Sequence, residues 1–136
     1  MKLFLDANVL FTAAHNPNGK AALVIELQAK GGWTIVTSAY AREEAQRNIR
    51  RKVPDAQDRL HVILQGIEVV EHRPDIEFPT GLAAKDQPIF QAALGCGASH
   101  LLTGDLKHFG PLMNRPAETL GVHVQTIADF LGSLGD

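Results

Sequence analysis

A single cysteine, Cys96, is present in 136 residues, so no intrachain disulfide can form and nothing marks an oxidising compartment. There is one tryptophan and one tyrosine, and the six phenylalanines lie mostly in apolar runs. That leaves no expected aromatic platform for stacking single-stranded bases. Neither sign of charge dominates: the net charge is −2, so no global field draws the chain to a polyanion. A polyanionic substrate would have to be held by a local basic patch or through metal ions. No apolar run approaches the roughly 18 residues of a membrane-spanning helix. Lys2 before Leu3–Leu5 resembles the start of a signal peptide, but Asp6 and Asn8 interrupt that run too early. The expected compartment is the cytoplasm, with no membrane partner. Internal repeats, low-complexity tracts and linkers are also lacking, and the length suits one domain, residues 1–136.

What is there alternates. Leu3–Leu5 is a short buried strand stopped by Asp6, after which Val9–Phe11 restart apolar burial. His15–Gly19 is a turn cluster. Lys20–Lys30 is a strong helix former closed by Gly31 and Gly32. Trp33–Thr37 is a second strand, and Ser38 is a good N-cap for a helix over 39–52 with Ala41, Ala45 and Ile49 as its apolar stripe. Pro54 ends that helix and a new one runs from about Asp55 to Gln65. Ile67–Glu71 is the third strand. His72–Ala84, with two prolines and Gly81, is the longest irregular segment. Asp86 and Pro88 open a helix through about Gly95, and Ser99–Thr103 is the fourth strand. Leu106–Arg115 is a short helix or turn, Gly121–Gln125 the fifth strand and Thr126–Leu134 a last helix. Strands alternating with helices imply βαβ units and a parallel sheet covered on both faces.

Chemistry must rest on few polar residues. Asp6 and Asn8 follow the first strand, Glu43 and Glu44 begin the helix after the second, Asp86 opens the helix before the fourth, and Asp105 follows that strand in Thr103-Gly104-Asp105. Most have an ordinary structural reading. Asp86 and Asp105 can cap helices, Asn8 can serve a turn, and Glu43 and Glu44 can pair with Arg47. Asp6 is the exception: between two apolar runs it has no obvious cap role. Ligands in open α/β sheets bind at the carboxyl ends of strands, where Asp6 and Asp105 both fall.

Together, LFLDANVL, TSAYAREEAQRNI, KDQPIFQAAL and HLLTGDLKHFG resemble the PIN-domain family over essentially the whole chain, and the VapC-like toxin components of toxin–antitoxin pairs in particular. The resemblance implies a three-layer α/β/α Rossmann-like fold with a parallel five-stranded sheet of order 3-2-1-4-5. It places Asp6 and Asp105 on either side of the crevice where the strand order reverses. It also implies metal-dependent endoribonuclease activity. Four close carboxylates repel one another, and Mg²⁺ or Mn²⁺ would relieve that and activate water for attack on a phosphodiester. Asp6, Asp86 and Asp105 are the expected metal ligands and Glu44 the fourth catalytic acid. Asn8 and Thr103 are expected to position them. Glu44 is preferred to Glu43 because Glu43 has Arg47 at i,i+4, and because the family's glutamate is usually followed by a small or apolar residue, here Ala45.

The histidines show no close ligand spacing, which argues against zinc. Lys85, Lys107, Arg47 and Arg51 are candidate contacts to substrate phosphate, with His108 beside the acids as another, against a reading of the basic helix as a solvated face. RNA is the expected substrate, with an antitoxin protein and a second copy of the chain as candidate partners. Two other classes stay open. One is a haloacid-dehalogenase-like phosphotransferase, which wants a second acid where Asn8 stands. The other is a non-catalytic PIN-like module that binds RNA or protein.

Overall fold

The structure is a computed structural model and describes residues 1–135. The central strand, β1 (Lys2–Leu5), is flanked by β2 (Thr34–Ser38) and β4 (His100–Leu102). The edges are β3 (Glu68–Val70) and β5 (His123–Gln125), giving an all-parallel order β3-β2-β1-β4-β5. Phe4 pairs with both Val36 and Leu101, so β1 is covered on both sides, and Leu3, Phe4 and Leu5 are fully buried. A strand buried on both faces reads as a continuous apolar run, which is why LFL stands without polar alternation. The expected parallel sheet and its order are those observed. β3, β4 and β5 are one or two residues shorter at their ends than expected, whereas β1 starts one residue earlier and β2 is shifted by one.

The helices are α1 (Ala7–His15), α2 (Lys20–Leu27), α3 (Ala39–Lys52), α4 (Gln57–Gln65), α5 (Gln87–Gly95), α6 (Leu106–Phe109) and α7 (Ile127–Ser133). They make the sheet the middle of three layers. α1 is the main departure from the sequence reading. Val9–Phe11 continue a helix that begins directly after Asp6, without an intervening loop. Elsewhere single residues set the boundaries as expected. Ser38 accepts from the Ala41 amide at the start of α3, and Ala41, Ala45 and Ile49 are its fully buried stripe. α2 runs into a 3₁₀ turn over Gln28–Lys30 that ends at Gly31, whose φ of 80° favours a residue without a Cβ. A 3₁₀ turn over Pro54–Ala56 precedes α4, and another over Gly110–Leu112 follows α6.

Phe4, Phe90, Phe109 and Phe130 are the largest fully buried side chains, and each such residue contributes about 1.5–3 kcal/mol by leaving water. No helix among the described residues is long and apolar enough to cross a membrane.

The irregular segment before α5 is held by one side chain. Gln91 is buried; its Nε2 donates to the carbonyls of Pro74 (3.3 Å) and Ile76 (2.5 Å), and its Oε1 pairs with His72 Nε2 at 2.7 Å. Gln91→Leu keeps the volume but leaves two carbonyls without their donor. It should cost about 1–3 kcal/mol in urea denaturation and speed amide exchange across residues 72–84. Unchanged exchange in that segment would show that it is anchored elsewhere.

Candidate active site

β1 and β4 end side by side, and the chain leaves them in opposite directions across the sheet, to α1 from one and to α6 from the other. The crevice between them is a topological switch point. Asp6 follows β1 and its amide donates to the Leu102 carbonyl at 3.0 Å, as if continuing the ladder. Thr103 follows β4 and is fully buried. Its hydroxyl donates to Asp6 Oδ2 (2.8 Å) and accepts from the Asp105 amide (3.1 Å) and from Asn8 Nδ2 (3.3 Å). One donor and two acceptors exhaust what a threonine hydroxyl offers. Asn8 Nδ2 also donates to Asp6 Oδ2 (3.2 Å), and Asn8 Oδ1 accepts from the Gly104 amide at 2.6 Å. A Cβ at 104 would lie 3.3 Å from Asn8 Oδ1, so this close approach accounts for the glycine of the T-G-D motif.

Asp6 does cap a helix, contrary to the sequence reading. It holds the N-cap position of α1 in extended backbone, and its Oδ1 accepts from the Ala7 amide at 2.7 Å. A strand that turns straight into a helix leaves its first amides needing an acceptor, and an adjacent aspartate supplies it. Its carboxyl is nonetheless pushed up to about 6. Burial is the main cause, partly offset by Thr103 and Ala7 and reinforced by the charges of Glu44 and Asp86.

The other acids differ in kind. Asp86 sits at the N-cap position of α5 but makes no capping bond. It is 5% exposed, its carboxyl is raised by burial, and its Oδ2 has no hydrogen-bond partner. Asp105 does cap: Oδ1 accepts from the His108 amide at 3.1 Å, and Oδ2 lies 2.8 Å from His108 Nδ1. Burial raises its carboxyl, but the bonds and charge of His108, with Lys85, bring it below the usual carboxylate range. Simple repulsion among four acids therefore does not describe the site, because Asp105 is the stabilised one.

His108 Nδ1 is also 3.5 Å from Asp86 Oδ2. Asp86, Asp105 and His108 thus form a group whose ligand-type atoms lie within 4.8 Å of one another, and Asp6 and Glu44 are outside it. Sequence reasoning gave His108 a phosphate contact and no part in a metal site. The signal was D-x-x-H over 105–108, which puts both side chains on one face of a single helical turn.

Of the two glutamates, Glu44 is half-buried and its charge is felt at Asp6, whereas Glu43 is exposed. The Glu43–Arg47 pair expected from i,i+4 spacing is not formed: among the described residues no ion pair joins either glutamate to an arginine. Two exposed long side chains gain little from such a pair. Arg47 and Arg51 are exposed on α3. Lys85 and Lys107 are exposed too, and Lys85 lies near enough to Asp86 and Asp105 to favour their ionised forms.

The raised Asp6 carboxyl gives a pH signature. An unfolded aspartate ionises near 3.8 and the folded one near 6. Protonated Asp6 is tolerated below pH 4, and the fold loses stability as pH rises through 4 to 6, by about 3 kcal/mol at one unit per 1.36 kcal/mol. The stability of Asp6→Asn relative to wild type, without divalent ions, should therefore rise by that amount between pH 4 and pH 7. Denaturation curves at both pH values test it, and parallel profiles for the two proteins would refute it.

No protein-family model matches the sequence, and no curated protein matches it. Solved structures do match in fold. VapBC2 from Rickettsia felis, bound to a DNA fragment from its promoter, aligns with a TM-score of 0.68 at 20% identity, over 93% of this chain and 98% of that one. FitAcB from Neisseria gonorrhoeae aligns with a TM-score of 0.59 at 16% identity, over 92% and 97%. VapC20 from Mycobacterium tuberculosis, a sarcin–ricin loop cleaving toxin, aligns with a TM-score of 0.57 at 13% identity, over 80% and 94%. With its sheet order and its helices on both faces, the chain has the VapC-like PIN fold, in three α/β/α layers.

Proposed function

We propose that this chain is a Mg²⁺- or Mn²⁺-dependent endoribonuclease acting in the cytoplasm as the toxin of a toxin–antitoxin pair. The observation that carries the reading is Asp86 Oδ2, a buried carboxylate oxygen with no hydrogen bond, 3.5 Å from His108 Nδ1 and grouped with Asp105 at the switch point of the sheet. A buried charge without a donor is costly, and a divalent cation is the group that would satisfy it. Oxygen-rich donors suit a hard ion of this kind.

Asp86 and Asp105 would supply inner oxygens. Asp6 would add a third carboxylate, since its Oδ1 carries a single hydrogen bond. When bound, the ion would lower the pKa of a water to make it a nucleophile and offset charge on the reacting phosphate. Glu44, the acid sensed at Asp6, would orient that water. Asn8 and Thr103 hold Asp6 in place, and Lys85, Lys107, Arg47 and Arg51 would meet the flanking phosphates. Products would carry 5′-phosphate and 3′-hydroxyl ends.

Asn8 bears on the phosphotransferase alternative. Its amide is committed at both ends to Asp6, Thr103 and Gly104, so the position of the second acid is structural here. The partner half of the reading is supported by the VapBC and FitAB complexes among structures of this fold. An open apolar cleft between α1, α2 and α4, with Val62 66% exposed on its wall, offers an antitoxin segment a surface to cover.

Single-stranded RNA should be cut with Mn²⁺ or Mg²⁺ present and left intact in excess chelator. Glu44→Gln should slow cleavage about 10²-fold or more, and Asp86→Asn should abolish the metal response, while Glu43→Gln stays near wild type. Gel assays across a Mn²⁺ titration measure this. Full activity in chelator would overturn the metal reading, and an inactive Glu43→Gln beside an active Glu44→Gln would move the role to Glu43.

A further inference from the structure

We propose that His108 is a nitrogen ligand to the cation at Asp86 and Asp105, and that it turns the site toward first-row transition ions such as Mn²⁺ and Co²⁺ and away from Mg²⁺. The inference rests on the metal reading above. Its observations are positional. His108 Nδ1 is 2.8 Å from Asp105 Oδ2 and 3.5 Å from Asp86 Oδ2. Two donor atoms bonded at about 2.1 Å to one ion stand roughly 3.0–3.5 Å apart, from octahedral to tetrahedral angles. The three side chains need shift only slightly to share an ion.

The imidazole is not placed by chance. The His108 amide donates to Asp105 Oδ1 at 3.1 Å, and the next residue, Phe109, is fully buried, so backbone and core both fix where the ring begins. The second observation is Asp86 Oδ2, which is buried, accepts no hydrogen bond and faces the same point. Without a cation, the proton between Nδ1 and Asp105 Oδ2 belongs to the imidazole, because an ionised carboxylate only accepts. An ion entering there takes the place of that proton: the neutral ring then carries its hydrogen on Nε2, by tautomer exchange through solvent, and the Nδ1 lone pair faces the metal.

Nitrogen at this position discriminates. Mg²⁺ takes oxygen ligands and keeps its waters, so it gains little from an imidazole. Affinity for imidazole rises from Mn²⁺ through Co²⁺ along the first-row series. Two carboxylates and one imidazole thus form a mixed site rather than the all-oxygen site that four acids alone would make.

The test uses the full chain with Mn²⁺, Co²⁺ or Mg²⁺ added singly. Calorimetry gives the affinities, and pulsed electron paramagnetic resonance of bound Mn²⁺ reads ¹⁴N coupling directly. Wild type should show that coupling and bind Mn²⁺ more tightly than Mg²⁺. His108→Ala should lose the coupling and about tenfold or more in Mn²⁺ and Co²⁺ affinity, with Mg²⁺ affinity much less changed. His108→Asn, whose amide can keep the bond to Asp105, should behave like His108→Ala if the role is ligation. Mn²⁺ bound by wild type without ¹⁴N coupling, or an unchanged Mn²⁺-to-Mg²⁺ ratio in His108→Ala, would overturn the inference and leave the metal reading standing. Failure of wild type to bind any of the three ions would overturn both.

Discussion

The arrangement at the sheet's end depends on one hydrogen bond, from the Thr103 hydroxyl to Asp6 Oδ2. Both residues are buried, and they sit just past the ends of the two parallel strands on either side of the switch point. The bond begins a relay. Thr103 Oγ1 fixes the Asp105 amide, Asp105 fixes the backbone and ring of His108, and His108 reaches Asp86 on the far side. Four elements, β1, β4, α6 and α5, are thereby referenced to one another through polar contacts in a low-dielectric setting, where each bond is worth more and each missing partner costs more.

The relay also sorts the carboxylates by charge. Asp6 and Asp86 are raised by burial, whereas Asp105 is lowered because His108 donates to it twice. The acids are therefore separated by donors, with Thr103 and Asn8 at one end and His108 at the other. Neither Asp86 oxygen accepts a hydrogen bond among the described residues, and Oδ2 is the one that is also buried. The electrostatic demand of the site is concentrated at that atom rather than spread over the cluster.

Much of this was legible in the sequence because it follows from burial pattern. LFL, TIVTS and HLL announce strands, Ser38 a cap, and the Ala41–Ala45–Ile49 stripe the buried face of α3. The same stripe explains why Glu44 is half-buried and Glu43 is not. Glu44 adjoins Ala45 on the flank of the buried face, and a turn of about 100° carries Glu43 outward. Helix α1 was hidden because its apolar residues read on from the strand run LFL, although Asn8, Thr12 and His15 mark its solvent side at i, i+4, i+7, and the cap role of Asp6 was hidden with it. The place of His108 among the ligand-type groups was missed for a different reason. The fold of α6 onto α5 brings it to Asp86 across more than twenty residues of sequence, and only its local half, the spacing to Asp105, is written in the chain. The anchoring of residues 72–84 by Gln91 is equally silent, since bonds to backbone carbonyls leave no mark on the residues that accept them.

Charge completes the picture at longer range. With a net charge of −2 the protein has no overall pull on a polyanion, so any such attraction would come from single cations near the acids. Lys85 already acts at that distance, since its charge favours ionised Asp86 and Asp105. α3 adds an asymmetry of its own: Glu44 lies near its N-terminal end, while Arg50, Arg51 and Lys52 fill its last turn, the polarity that suits the helix dipole. Because Glu43 and Glu44 leave Arg47 unpaired among the described residues, the basic side of the helix is not neutralised internally. One helix therefore carries an acid at the crevice and exposed cations along its length. At a Debye length of about 8 Å in physiological salt, such cations act only on phosphates that come close to them.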